Sequence, residues 1–366
     1  MDTEFHKQIS LSFGGVLLRF TLLLLSFTCS LHAFAGRFEP GFKTGTVRCD
    51  YMNELSGLAA GRVNNAVLWS HNDSGDTARV FAISPAGECL AIVTLAGVKA
   101  ADWEDISIGP GPQNGKTYIY VGDIGDNGEN RPFVTVHRFL EPAIDPNAVS
   151  TPLKIQVKPE SARFKYEDAP HDSEAMWVDP TDASLYFVTK RTPVARIYQG
   201  KWPKKPGKTT QTLQTPDESK QNPDKSDENT QTVQKPDENK HTLDRSDKST
   251  QILHKVGSIP MKWVTAADIS PSGNQIIIRN YNQAMLWHRP EDENIADALA
   301  KSGQLVPLEA EKQGEAICFA ADGKGYFTVS EKKRQPIYYY ACKGVRRDSK
   351  ATGSAGGESA SGKESE

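Results

Sequence analysis

Acidic residues crowd into one short stretch of this sequence. Asp102-Trp103-Glu104-Asp105 places three carboxyl groups within four residues, directly before an apolar run that begins at Ile106. Turn formation alone does not need so many acids. Carboxylates grouped with amide and carbonyl oxygens are the hard ligands that Ca²⁺ and Mg²⁺ prefer, and a carboxyl group with a shifted pKa can act as a general acid or base. The stretch therefore predicts a cation site or acid–base chemistry.

Further polar clusters flank other apolar runs, and together they supply the candidate functional residues. The cationic side chains would bind a phosphate or carboxylate ester beside a metal, while a Glu or His serves as base. The alternative is structural, because acids at strand starts often accept hydrogen bonds from loop amides and Asx-Gly clusters often form turns. The predicted metal ligands are Asp73, Glu104, Asp123, Asp126, Glu174, Asp268 and Glu315, and the predicted catalytic residues are Glu104, Asp105, His171, Glu174, Glu315, Lys190, Arg191 and Arg279.

The elements that must position these residues recur along the chain. In five segments a short apolar strand begins after small or acidic residues, a turn follows, and a second apolar strand ends in a polar cluster. Further strands follow in each segment, which gives repeated four-strand units typical of a β-propeller. We therefore predict an all-β fold with five four-stranded blades, and six blades as the alternative. In this topology the polar clusters meet at one mouth of the central channel.

The fourth strand of the second unit is predicted at residues 154–158, and the last unit lacks a fourth strand. Residues 46–51 are predicted to complete it by pairing antiparallel with residues 336–342. On that pairing Cys49 and Cys342 would lie on adjacent strands and could form a disulfide, while Cys89 and Cys318 would be free and buried. Four cysteines nevertheless allow two disulfides in three pairings, and the sequence leaves the choice open.

Two segments have a composition that does not support a core. Residues 203–250 contain a tandem repeat with a period of 20, QTLQTPDESKQNPDKSDENT followed by QTVQKPDENKHTLDRSDKST, and residues 346–366 are rich in Gly, Ser, Lys and Glu. Such segments cannot bury enough apolar surface to offset their chain entropy. We predict a propeller domain over residues 36–345 that is interrupted by a disordered insertion at 203–250 and followed by a disordered tail.

The N-terminus has the order of an export signal. Lys7 and Arg19 precede the apolar run 20–27, and Ala33-Phe34-Ala35 provides a small-residue cleavage pattern. We predict a signal peptide over residues 1–35 and an exported protein, periplasmic or extracellular; an uncleaved membrane anchor is the alternative. The net charge of −3 and the absence of a basic patch with interleaved aromatic residues argue against nucleic acid as a partner.

Three motifs carry a resemblance to a known group of proteins. Asp102-Trp103-Glu104-Asp105-Ile106, His171-Asp172-Ser173-Glu174-Ala175 and Gly314-Glu315-Ala316-Ile317 each lead into an apolar strand. In this the chain resembles the phytase-like, or "esterase-like", secreted bacterial propellers, and more distantly the sugar-lactonase and NHL-type propellers. The resemblance to phytases implies Ca²⁺-dependent phosphomonoester hydrolysis on six blades, but the metal ligands of that family do not match residue by residue.

These observations leave two functions of different classes. The first is a binding protein that holds a small ligand and a divalent cation, Ca²⁺ or Mg²⁺, at the acidic mouth. The second is a metal-dependent hydrolase of phosphate or carboxylate esters. The motifs of α/β-hydrolases, zincins and nucleotide-driven enzymes are absent from the sequence.

Overall fold

The structure, a computed structural model, describes residues 37–145, 151–203 and 250–343. The predicted signal peptide, most of the repeat insertion and the whole predicted tail lie outside these residues. The described residues are mainly β-strands, which form four hydrogen-bonded sheets. The largest sheet has eight strands and consists of two antiparallel groups joined by one parallel pair, with Phe164 opposite Gln251, so that the strands fall into five antiparallel groups. In each group the innermost strand is followed outward by the next strands of the chain, except that the outermost strand of the last group is the N-terminal one.

The first two groups come from the N-terminal half of the chain. Group 1 contains β2 (Leu55–Ala60), β3 (Leu68–Asn72), β4 (Arg79–Ile83) and β5 (Cys89–Leu95), and β9 (Leu153–Val157) adds to its outer edge in parallel with β5. Group 2 contains β6 (Trp103–Pro110), β7 (Thr117–Asp123), β8 (Val134–Leu140) and β10 (Glu160–Tyr166).

The other three groups follow the same plan. Group 3 contains β11 (Ser173–Val178), β12 (Ser184–Thr189), β13 (Ala195–Lys201) and β14 (Gln251–Ile259). Group 4 contains β15 (Val264–Ile269), β16 (Gln275–Asn280), β17 (Ala284–His288) and β18 (Gln304–Val306), with the short helix α1 (Ile295–Ala300) before β18. Group 5 contains β19 (Gly314–Phe319), β20 (Gly325–Ser330), β21 (Pro336–Ala341) and β1 (Phe42–Thr46).

The groups are packed in a closed ring. β2 contacts β6, β6 contacts β11, β11 contacts β15, β15 contacts β19, and β19 returns to β2. An apolar cluster fills each interface between neighbouring groups; the cluster between groups 1 and 2, for example, contains Trp69 and Trp103, and the one between groups 3 and 4 contains Trp177 and Trp287. No sheet within the described ranges has a face left without a partner, which is the packing of a β-propeller.

The innermost strands are rich in small residues because they converge on the ring axis. Gly57 shows the constraint: a Cβ there would lie 2.9 Å from the backbone nitrogen of Ile106, and its φ of +67° favours glycine. Larger side chains on β2 would push group 2 away from the axis. The sequence pattern of short buried strands and turns therefore has a direct packing cause.

Two details of the predicted strands are wrong. The strand predicted at 154–158 is β9, which pairs with β5 of group 1 rather than completing group 2. The fourth strand of group 2 is β10, which the sequence analysis missed; it pairs with β8 and buries Ala162, Phe164 and Tyr166. Only two residues separate β9 from β10. β9 is mostly exposed, whereas every second residue of β10 is buried, and this alternating burial decides which strand completes group 2.

The N-terminal strand closes the last group as predicted, but over different residues. β1 pairs antiparallel with β21, with Phe42 opposite Tyr339 and Thr46 opposite Pro336. The chain then leaves the sheet, and Val47 and Cys49 are buried between groups 5 and 1. The predicted strand 46–51 therefore began where the real strand ends.

The path of the chain after β1 also determines which cysteine pairs with Cys49. Cys49 is bonded to Cys89 at the start of β5, with their Cα atoms 4.8 Å apart, so the expected bridge to Cys342 and the expected free Cys89 are wrong. Cys318 is buried and free, as predicted, and Cys342 is half-buried and free. The physical reason is that Cys49 lies beyond β1 and faces group 1 rather than β21.

Candidate functional site

The mouth is defined here as the end of the ring where each innermost strand begins and each second strand ends. These two points lie side by side because the strands are antiparallel; Leu55 pairs with Asn72 in group 1 and Trp103 with Asp123 in group 2. The same arrangement recurs in the other groups. Residues at these positions are therefore gathered around one opening.

A β-bulge at the start of four innermost strands selects which side chains enter the mouth. The register shifts between Trp103 and Asp105, and likewise at the start of β11, β15 and β19. A bulge leaves one residue outside the regular pairing and redirects its side chain. The four bulged residues are Glu104, Glu174, Thr265 and Glu315.

The hydroxyl residues at this level join neighbouring groups. Thr265 Oγ1 donates to the carbonyl oxygen of Gly314 at 2.8 Å, and Ser56 Oγ on β2 donates to that of Glu104 at 2.7 Å. Glu104, Glu174 and Glu315 have longer side chains that carry charge. The mouth is therefore lined by three glutamates at equivalent strand positions in groups 2, 3 and 5. In groups 1 and 4 a hydroxyl residue bonds to the neighbouring group instead.

A second set of residues directly follows the second strands. Asp73, Lys190, Tyr281 and Glu331 occupy this position in groups 1, 3, 4 and 5, and the buried Ile124 occupies it in group 2. A backbone bond back to the residue before the innermost strand fixes three of them, as in Asp73 N to Glu54 O at 2.7 Å. The position therefore places one side chain of each group beside the bulged residues.

Three carboxylates form the tightest cluster in the mouth. Asp73, Asp102 and Glu104 each offer one oxygen, and these oxygens lie within 4.8 Å of one another. A Cβ on Gly125 would lie 2.3 Å from Glu104 Oε1 and 2.5 Å from Asp102 Oδ2, so glycine is required for this approach. We call Asp73, Asp102 and Glu104 the carboxylate triad.

Burial and mutual repulsion disfavour the charged form of the triad. Burial, followed by the nearby carboxylates of Asp73 and Asp172, raises the pKa of Asp102 to about 6. The pKa of Glu104 is raised well above its usual value by burial and then by the charge of Glu174. Burial also raises the pKa of Asp73. Either protons or an added cation would relieve this repulsion.

Next to the triad, Lys190 and Glu174 form a buried ion pair. Lys190 Nζ lies 2.5 Å from Glu174 Oε1 and 5.7 Å from the centre of the Tyr281 ring, and Tyr281 Oη donates to Glu315 Oε1 at 3.3 Å. Burial raises the pKa of Glu174 to about 7 although Lys190 opposes the shift. Burial and then the charge of Glu331 raise the pKa of Glu315 to about 8.

Two predicted site residues instead tie innermost strands together. Asp105 accepts hydrogen bonds from the backbone nitrogens of Ile106, Met176 and Ala267, which lie in three different groups. Asp268 Oδ2 accepts one from Phe319 N at 2.8 Å. These bonds match the structural alternative considered for acids in this sequence.

The remaining candidates have protein partners around the mouth. Arg279 is fully buried and pairs with Glu311 at 2.6 Å, and Arg191 pairs with Asp172 at 2.5 Å. The predicted metal ligands Asp123 and Asp126 both contact Arg131. Its side chain pairs with Asp123 at 2.7 Å, and its backbone nitrogen donates to the carboxylate of Asp126. The structure thus brings Asp73, Glu104, Glu174, Lys190 and Glu315 together and gives Arg279, Arg191, Asp123 and Asp126 other contacts.

His171 belongs to a separate polar cluster. Its Nε2 lies 3.0 Å from Asp168 Oδ1 and 2.8 Å from Tyr198 Oη, and Arg196 is 3.3 Å away. Asp102 belongs to the acidic stretch that predicts a cation site, although it is not among the named metal ligands, and Tyr281 and Trp263 were not predicted as mouth residues. Their positions along the chain could have identified all three as mouth residues, because Asp102 and Trp263 directly precede an innermost strand and Tyr281 directly follows a second strand.

The ring of sheets with its acidic mouth defines a β-propeller. No family of known proteins matches the sequence, and no curated protein matches it. Among solved structures, the chain is similar to one described as a nidogen/laminin complex, with 10% sequence identity and a TM-score of 0.36; the match covers 75% of this chain and 72% of that one. No helix in the described ranges is long and apolar enough to span a membrane.

Proposed function

We propose that this chain is an exported β-propeller that binds a divalent cation, Ca²⁺ or Mg²⁺, at the carboxylate triad, and a small ligand beside it. The observation that carries the proposal is the approach of three carboxylate oxygens within 4.8 Å of one another. Oxygen-only donor sets of this kind suit hard cations. A bound cation would replace the protons that raised pKa values otherwise keep on these groups.

The charge balance around the mouth favours the triad over the other acids as the cation site. Asp123 and Glu174 already have Arg131 and Lys190 as partners. Among the described residues, none of the three triad acids forms an ion pair with a Lys, Arg or His. The triad is therefore the place where added positive charge relieves the most repulsion.

Export is supported by the order of the N-terminal sequence and by the disulfide between Cys49 and Cys89. Disulfides of this kind persist in oxidising compartments such as the periplasm and the cell exterior.

Calorimetric titration of EDTA-treated protein with CaCl₂ and MgCl₂ tests the cation site. We expect saturable binding that Asp102→Asn and Glu104→Gln weaken at least about tenfold, because each removes one charged donor. Asp322→Asn is the matched control, since Asp322 lies in an exposed turn between β19 and β20. Absence of binding to the unaltered protein, or equal effects of all three substitutions, would refute the proposal.

A metal-dependent ester hydrolase is the second candidate, and the pKa values in the mouth favour it. Those of Glu174 and Glu315, about 7 and about 8, would let both act as acid or base near neutral pH. A screen with p-nitrophenyl acetate and p-nitrophenyl phosphate, with Ca²⁺ and then with EDTA, separates the candidates. Turnover that both EDTA and Glu104→Gln abolish would establish a metal-dependent esterase or phosphatase, according to the substrate; cation binding without turnover would favour the binding function.

A further inference from the structure

The last residue of a second strand can fix the backbone that leads into the innermost strand of its group. In group 1, Asn72 Oδ1 accepts hydrogen bonds from the backbone nitrogens of Asn53 and Glu54 at 3.1 and 3.3 Å, directly before β2. In group 5, Ser330 Oγ accepts one from Gln313 N at 3.0 Å, directly before β19. Neutral side chains are sufficient for this contact.

Group 2 has an acid at the same position. Asp123, the last residue of β7, accepts a hydrogen bond from Ala101 N to Oδ2 at 3.0 Å and one from Asp102 N to Oδ1 at 3.3 Å. Its side chain is buried, so its charge requires a partner. Because Asp102 belongs to the triad, the side chain of Asp123 fixes the backbone of one proposed cation ligand.

Arg131 is the partner of Asp123, and it closes the loop formed by residues 123–131. Its Nη2 donates to Asp123 Oδ1 at 2.7 Å, and its Nη1 donates to the carbonyl oxygen of Gly125 at 2.6 Å. A guanidinium group can make both contacts at once because its donors form a planar fork, whereas a lysine ammonium is a single point charge. The side chain of Arg131 therefore fixes two points of the loop relative to each other.

Both of these points contact Asp102. Asp123 accepts from the backbone N–H of Asp102, and Gly125 N donates to its carbonyl oxygen at 3.2 Å. Gly125 also lies against the carboxylates of Asp102 and Glu104, where a Cβ would be 2.5 and 2.3 Å from their oxygens. Arg131 thus constrains Asp102 on both sides of its backbone, through Asp123 on one side and Gly125 on the other.

Arg131 also acts on the site by its charge, and this effect has the opposite sign. Burial raises the pKa of Asp102, and the positive charge of Arg131 opposes that rise. A fixed positive charge this close to Asp102 repels a cation at the triad. On charge alone, removal of Arg131 should strengthen cation binding; through the lost contacts to the loop, removal should weaken it.

We propose that Arg131 is a positioning residue of the cation site, which holds Asp102 where its carboxylate completes the triad and whose loss weakens cation binding although a positive charge is removed. This inference rests on the proposed cation site. Groups that orient a metal ligand commonly change metal affinity by roughly 10- to 100-fold when they are replaced.

Calorimetric titration of the full EDTA-treated protein with CaCl₂ separates position from charge. Arg131→Met removes both the charge and the contacts, whereas Arg131→Lys keeps the charge but cannot contact Asp123 and Gly125 together. We expect Arg131→Met to bind Ca²⁺ at least about tenfold more weakly, and Arg131→Lys to fall between it and the unaltered protein. An affinity of Arg131→Met that equals or exceeds that of the unaltered protein would overturn the proposal, as would an unchanged affinity of Arg131→Lys.

The luminescence of bound Tb³⁺ provides a readout that a loss of overall stability would not change. Tb³⁺ occupies calcium sites made of oxygen ligands, and its lifetimes in H₂O and D₂O give the number of water molecules bound to it. A carboxylate that leaves the ion is replaced by water, so Arg131→Met should show about one more bound water than the unaltered protein, as should Asp102→Ala. An unchanged water count in Arg131→Met would refute the positioning role.

Arg138→Lys is the matched control in the same group. Arg138 donates through Nε and Nη2 to Glu160 Oε2 at 3.0 and 2.7 Å, which joins the outer strands β8 and β10. Its substitution breaks a paired guanidinium in the same way, and it should leave the Ca²⁺ affinity and the water count unchanged even if the Tm falls. An equal loss of affinity in Arg138→Lys would assign the effect to group 2 as a whole and overturn the specific role of Arg131.

The two proposals can fail separately. If the unaltered protein binds neither Ca²⁺ nor Tb³⁺, the proposed cation site fails and the role of Arg131 fails with it. If the unaltered protein binds Ca²⁺ and Arg131→Met binds it equally well, only the role of Arg131 fails.

Discussion

The ammonium group of Lys190 lies 2.5 Å from the carboxylate of Glu174, and both residues belong to group 3 at the level of the mouth. Lys190 also favours the charged form of Glu104, which belongs to the triad. The chain thus places its own fixed cation next to the proposed site of a soluble one. Two positive charges so close together repel each other.

Replacing Lys190 should therefore strengthen cation binding. We expect Lys190→Met to raise the affinity for Ca²⁺ about five- to tenfold at pH 8, because loss of the ammonium removes a repulsion on the order of 1 kcal/mol at the screened end of the protein range. Calorimetry at low ionic strength measures the change. Lys324→Met, in an exposed turn, is the control and should have no effect. A weaker affinity in Lys190→Met would show that Lys190 does not act on the triad.

The stability of the cation-free protein should fall as the pH rises from about 4 to about 8. Glu174 and Glu315 have folded pKa values of about 7 and about 8, above the ordinary value of an unfolded glutamate. Between the unfolded and the folded pKa of each group the folded state holds more protons than the unfolded state, so stability decreases with rising pH, on the order of 3–5 kcal/mol per group. Thermal melts in EDTA at pH 5 and pH 8 should show the lower Tm at pH 8.

One variant and the addition of Ca²⁺ sharpen the pH experiment. Glu315→Gln, which has no charge to bury, should lose less stability between pH 5 and pH 8 than the unaltered protein. Ca²⁺ should raise the Tm more at pH 8 than at pH 5, because protons compete with the cation at low pH. A Tm that rises from pH 5 to pH 8 in EDTA would contradict the assignment of raised pKa values.

Neighbouring acids should respond oppositely to substitution. Asp105→Ala leaves three buried backbone N–H groups without their acceptor, and we expect a loss of about 3 kcal/mol or more in the free energy of unfolding. Glu104→Gln replaces a buried carboxyl group, whose charged form burial and the neighbouring carboxylates disfavour, with a neutral amide, so it should leave cation-free stability unchanged or raise it. Urea denaturation in EDTA compares the two variants. Equal destabilisation would mean that Glu104 is also a structural acid.

The disulfide should stabilise the junction between groups 5 and 1. Cys49 and Cys89 are separated by 40 residues, and a loop of this length corresponds to about 4 kcal/mol in the chain-entropy estimate. We expect the double variant Cys49→Ser/Cys89→Ser to lose a comparable amount in urea denaturation. Cys342→Ser is the control and should keep the stability of the unaltered protein. Peptide mapping that finds Cys49 linked to Cys342 would refute this pairing.

The repeat insertion should be dispensable for folding. It connects β13 to β14, which pair antiparallel with Gln199 opposite His254, so the two strand ends lie close together. Replacing residues 204–249 with a four-residue linker made of Gly and Asn should change Tm by no more than a few degrees, because the entropy of closing a loop depends only weakly on its length. Cooperative unfolding should be retained. A variant that fails to fold would show that the insertion contributes to the domain.

The parts of this molecule that the sequence could predict are those encoded locally. The apolar runs and turns predict the repeated strands, and the Glu at the start of β6, β11 and β19 identifies three bulged residues that line the mouth. The partners of each side chain depend on neighbouring groups and could not be predicted. Asp105 and Glu104 are adjacent in sequence, yet only the position of β11 and β15 shows that Asp105 is a hydrogen-bond acceptor for their backbone. The bond between Cys49 and Cys89 likewise depends on where the chain turns after β1.

The bulge at the start of the innermost strands separates what the mouth can bind from what keeps the ring folded. The side chains of Glu104, Glu174 and Glu315 project from positions outside the regular strand pairing. Substitution there leaves the ladder hydrogen bonds of the three strands in place. These positions are therefore suited to combinatorial libraries in which new specificities are selected on an unchanged scaffold, and the same freedom would let related sequences diverge in ligand while they keep one architecture.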